Sequence, residues 1–226
     1  MTDLWTTVVP LAVTTAVLPI QLAITILMLR SAGGAARAGA WISGMTIVRL
    51  LQYAVFGAVL TQATDDGLPG TSAVEGALLL VVGVVLLVSA ARKAANQPDE
   101  DAPPPRWMSI VDGMSSGRAF LMGAGLVAFS PKLWAFTLGA IGAIGDAQLG
   151  PGEGWIVFAV WVALAQALHL LAWLSATLFP AEAEPVLARA SLALERYSRP
   201  LVIAISLLFG AWFMVKALSA FGIPDA

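Results

Sequence analysis

The chain contains no cysteine, a single histidine and only 12% charged residues. Without a thiol there is no disulfide, no dithiol redox chemistry and no thiolate metal site. One histidine, with no carboxylate in the middle of any long apolar stretch, is too poor a donor set for a divalent metal, so neither a metal nor a cofactor is expected. Lysine and arginine together number 12 against 14 aspartates and glutamates, with no basic run, which argues against a nucleic-acid partner. No nucleophile–base pair or phosphate-cradling glycine loop is visible, so the chain does not read as an enzyme. The start, MTDLWTTVVP, lacks the basic region and small-residue cleavage site of a signal peptide, and the first apolar stretch is expected to be retained.

What is abundant is apolar surface: 59% of 226 residues are hydrophobic, and the mean hydropathy is +0.85. A soluble domain carries about 25% charged residues, so this composition is that of a membrane protein. Crossing the hydrocarbon core takes about 20 apolar residues, which predicts six helical spans: Leu4 to Leu29, Gly39 to Leu60, Ala73 to Ala91, Ala119 to Gly142, Trp155 to Phe179 and Leu201 to Ala220. Arg30, Arg37, Arg92, Lys93, Arg106, Arg118, Arg189, Arg196 and Arg199 fall in the connections after the first, third and fifth spans, or at their edges. Positive charge stays inside, so both termini are expected outside a bacterial plasma membrane crossed six times.

ANQPDEDAPPPR, residues 95–106, is acidic and proline-rich and is expected to be a flexible cytoplasmic linker. It separates a first three-helix repeat, 1–94, from a second, 107–226. Within the second, 185–199 places Val186, Leu187, Ala190, Leu194 and Tyr197 on one face, as a helix lying on the membrane surface would; a plain helical connector is the competing reading.

An odd number of spans per half makes the halves inverted relative to one another, the plan of many secondary carriers. WISGMTIVRLLQ from Trp41 matches WIVFAVWVALAQ from Trp155 at one offset in Trp, Ile, Val, Leu and Gln, the last pair being Gln52 and Gln166. The first span of each half also carries a mid-span proline beside a polar residue: Pro19 with Gln21, and Pro131 with Ser130 and Lys132. Such broken helices in corresponding positions point to a midplane binding site.

Lys132 is costly in lipid and must face protein, water or a ligand; the alternative is that it only satisfies carbonyls freed by Pro131. Arg49 lies near mid-depth with Gln52 one turn on, and no span offers either cation an acid at matching depth. A substrate anion then becomes the counter-charge, the alternative being water in a vestibule. Asp112 is the nearest exception if its segment dips into the membrane. Gln166 and His169 share a face of the fifth span with Trp173; a packed, hydrogen-bonded histidine competes with a transport role. Lys216 with Trp212 fits a snorkelling anchor. The glycines of LMGAGL and GAIGAIG suit close helix packing.

The inverted three-plus-three plan, the proline break in AVLPIQLAITILML and the Pro-Lys motif in SPKLWAF resemble the lysine exporter (LysE) superfamily. With MSIVDGMSSGRAFLMGAGLVAFSPK, the chain looks most like its glycolipid- and sulfolipid-addressing branch (GAP, or Sap-like), although Ser130 stands where that branch usually has asparagine. The resemblance implies export of an anionic envelope lipid or lipid-linked intermediate by alternating access, its head group held by Lys132 and Arg49 with Gln21, Gln52, Gln166, His169 and Ser130 near the breaks at Pro19 and Pro131. Two alternatives stand beside it: an exporter of amino acids or other small carboxylates, and a non-transporting scaffold for envelope-lipid enzymes. Expected partners are that substrate and the bilayer, with a homodimer left open.

Overall fold

A computed structural model describes residues 2–65, 71–95 and 113–221. Most of the expected linker, together with Asp112, lies outside the described residues. Those described form nine helices and no strand: α1 (Thr2–Ala16), α2 (Pro19–Leu29), α3 (Gly34–Asp65), α4 (Thr71–Ala95), α5 (Ser116–Phe129), α6 (Pro131–Asp146), α7 (Pro151–Ala165), α8 (Ala167–Leu178) and α9 (Pro180–Ala220).

Three neighbouring pairs are single apolar stretches broken in the middle. α1 and α2 meet at 50°, α5 and α6 at 71°, and α7 and α8 at 64°. The first two breaks share a cause. Proline disfavours the helical conformation of the residue before it, and Leu18 and Ser130 are both extended, each at ψ 111°. One carbonyl at each break finds another donor: Leu18 N–H bonds to Thr15 O at 3.3 Å, and the Trp134 indole donates to Ala128 O at 2.7 Å. The third break has no proline. It turns on Gln166, at φ −111° and ψ 8°, so the fifth expected span is two helices, not one straight one.

By length and composition, α4 over Gly76–Ala95 and α9 over Arg199–Ser219 qualify as membrane spans, and the three broken pairs bring the number to as many as five. The expected span Gly39 to Leu60 lies inside α3, which does not meet that criterion over the described residues alone. α9 is continuous for 41 residues despite Pro185 and Pro200, a length of roughly 60 Å at 1.5 Å per residue. Residues 185–199 therefore run straight into the last span. Their apolar face divides: Leu187 is buried with Ile26 and Ala183, and Ala190 and Leu194 pack on that cluster, whereas Val186 and Tyr197 are exposed.

α6 is the most enclosed helix, burying Leu133, Phe136, Gly139, Ile141 and Ile144 among others, and it packs against α4, α1 and α3. α9 lies along α4, and α3 along α5. The second of these contacts needs glycine. A Cβ on Gly44 would strike the Phe120 carbonyl oxygen and one on Gly123 that of Trp41, so the two backbones touch where each lacks a side chain. Gly125, in the same LMGAGL run, meets nothing closer than Phe129 at 4.0 Å. At the far end of α9, Lys216 Nζ bonds to Thr6 Oγ1 at 3.1 Å, tying α9 to α1. Large apolar side chains such as Leu121, Phe129, Ile156, Leu192 and Leu208 remain exposed around the bundle, as lipid-facing positions do.

Candidate functional site

α8 runs along α3, and hydrogen bonds at two levels hold it there. The Trp173 indole donates to Ala35 O at 2.8 Å, and Gln166 Nε2 donates to Thr46 Oγ1 at 2.8 Å. Thr46 precedes Arg49 by one helical turn, as Gln166 precedes His169. The bond at the break thus brings the two turns that carry these residues side by side, and His169 lies within range of the Arg49 charge.

Arg49 has no exposed surface, and none of its three guanidinium nitrogens has a hydrogen-bond partner. Its Cζ sits 5.8 Å from the centre of the Trp161 ring. That ring continues a stack through Phe158, at 5.3 Å, to Tyr53, at 4.4 Å. Around Arg49 the unpaired buried groups accumulate: both amide atoms of Gln52, both ring nitrogens of His169, the Trp161 indole N–H and Gln166 Oε1. Buried polar groups are nearly always hydrogen-bonded, and a buried charge is normally paired. Several exceptions around one arginine, drawn from α3, α7 and α8, mark a place built to meet something outside the chain. Most of the unpaired groups are donors, a set that the oxygens of an anion would satisfy.

The other sequence-predicted residues are distributed differently. Gln21 is buried on α2 with Oε1 unpaired; its helix neighbour Thr25 accepts the Trp41 indole at 3.1 Å, and no hydrogen bond among the described residues joins Gln21 to Arg49. Ser130 is half-buried at the break, where its side chain does not cap α6. Pro19 and Pro131 begin α2 and α6. Lys132, in the first turn of α6, is half-buried and close enough to Lys93 on α4 to feel its charge. No hydrogen bond, ion pair or ring contact among the described residues joins Lys132 to Arg49. Trp161 was not singled out from the sequence: it is one of eight tryptophans, and an aromatic ring in an apolar span signals packing before binding.

An open cavity of about 370 Å³ lies elsewhere, between the α2–α3 turn and the start of α9. Leu29, Arg30, Ser31, Ala183, Glu184 and Leu187 line it, and it shares no residue with the Arg49 cluster. No group of three or more metal-ligating side chains exists among the described residues.

Residues 8–219 match the family described as Sap, sulfolipid-1-addressing protein. No curated protein and no solved structure matches the chain. With nearly its whole length covered, the chain belongs to that sulfolipid-1-addressing family.

Proposed function

We propose that this member of the sulfolipid-1-addressing family exports, or delivers to its place in the envelope, an anionic lipid whose head group is received at Arg49. The observation that carries the reading is a fully buried guanidinium with no counter-charge among the described residues. Burying such a charge is costly unless it is paired, and a chain that only anchored itself in lipid would have no use for it. The family supplies the lipid, and the exposed apolar side chains around the bundle suit a substrate that arrives through the bilayer.

The transport mechanism in this proposal is alternating access between two inverted three-helix halves of a wider lysine-exporter plan, with both termini outside the plasma membrane. Two features support it. The pre-proline breaks at Leu18 and Ser130 have the same ψ, and Gln52 and Gln166, equivalent at the sequence offset, are both buried with unpaired amide oxygens, the first on α3 and the second at the break between α7 and α8, which pack on α3. Lys132, half-buried near Lys93, is proposed to gather the anion on its way to Arg49.

Native mass spectra of gently purified protein test the reading. Wild type carries a specific anionic lipid, and Arg49→Met loses it. Wild type without any specific lipid, or an Arg49→Met protein that retains it, overturns the proposal.

A further inference from the structure

Resting on the reading of Arg49 as a ligand site, we propose that Arg49, Gln52, Trp161 and His169 form a pocket selective for a singly charged oxyanion over a doubly charged one, with the Trp161 indole N–H as a direct ligand. Arg49 supplies one fixed positive charge and five N–H donors. The groups around it add donors but no further fixed charge: the Gln52 amide, the Trp161 indole and an imidazole nitrogen of His169 are all buried and unpaired.

A monoanion placed here is neutralised by Arg49, and its oxygens accept from the fork and the surrounding N–H groups. A dianion brings a second charge into the same desolvated space with no second cation to meet it, which buried sites strongly disfavour. The site therefore discriminates by charge count before it discriminates by shape. A sulfate monoester or a phosphodiester satisfies it, and a phosphomonoester, ionised twice above about pH 6, does not. Because the donors come from both sides of the Gln166 break, occupation of the pocket also bridges α3 to α7 and α8.

The test uses full-length protein in lipid-free detergent at pH 8.5, with binding measured by calorimetry for three probes. Dihexanoyl phosphatidylglycerol is the tailed monoanion, dihexanoyl phosphatidic acid the tailed dianion and methyl sulfate the tail-less monoanion. The glycerol phospholipid with one charge is expected to bind at least tenfold more tightly than phosphatidic acid. Trp161→Phe keeps a ring under Arg49 and deletes only an N–H that has no partner among the described residues. Its melting temperature should stay at or above that of wild type while monoanion binding weakens about tenfold, the effect of one hydrogen bond to a charged group. Equal or tighter binding of phosphatidic acid, unchanged monoanion binding by Trp161→Phe, or binding of none of the probes overturns the inference. Methyl sulfate binding as tightly as the tailed monoanion supports the pocket and overturns the lipid reading instead, so the two failures are told apart.

Discussion

Arg49 and Lys132 are the two cations that the sequence places deep in apolar helices, yet the structure gives them unlike surroundings. Arg49 lies on the unbroken α3 and owes its isolation to neighbours: α7 and α8 close over it, stack an aromatic ring beneath it and leave every guanidinium nitrogen unpaired. Lys132 lies at a break, half-buried, and shares its field with Lys93. A helix interruption thus does not by itself locate the most deeply enclosed charge. The proline break opens a partly exposed place for Lys132, while a tertiary enclosure makes the dry one for Arg49.

The comparison is broken most decisively by measuring anion affinity in two single variants. Arg49→Met should cost about 3–5 kcal/mol, the usual effect of deleting one partner of a buried charge pair. Lys132→Met should cost about 1 kcal/mol, as for a partly solvated ion. Equal losses would mean that both cations hold the head group together. A second difference concerns stability in the absence of lipid. Replacing the unpaired Arg49 by methionine should stabilise the delipidated protein by about 1–4 kcal/mol, seen as a higher melting midpoint in detergent, whereas Lys132→Met should change it by no more than about 0.5 kcal/mol. A destabilised Arg49→Met protein would show that Arg49 is structural. The smallest effect sharpens the role of the wall. Gln166→Leu removes the bond to Thr46 at a cost of about 1 kcal/mol, and hydrogen exchange should quicken in α8 while α6, whose break depends on Pro131, is unaffected.

The two proline breaks were legible because their cause is local: a proline restricts its predecessor wherever it occurs. The Gln166 break was not, since no proline or glycine marks it and its turn is held by a residue 120 positions away. The extent of α9 was also hidden. Pro185 and Pro200 are expected to end or kink a helix, but the chain stays helical from Pro180 to Ala220, with Arg199 Nε bonded to Lys93 O at 3.2 Å beside the second proline. Gly123 and Gly44 illustrate a middle case. Small residues in an apolar run suggest packing, but only the crossing of α3 and α5 shows that these two glycines meet the opposite backbone and Gly125 does not.

By itself the sequence determined that this is an apolar, all-helical membrane protein and where its proline breaks fall, because composition and the conformational limits of proline act without reference to distant residues. Only the tertiary structure decided that Gln166 is a third break and that Trp161 lies beside Arg49. Each of those depends on which helix faces which, and helix faces in an apolar chain are sorted by contacts such as Gln166 with Thr46 and Gly44 with Phe120, between residues far apart along the chain.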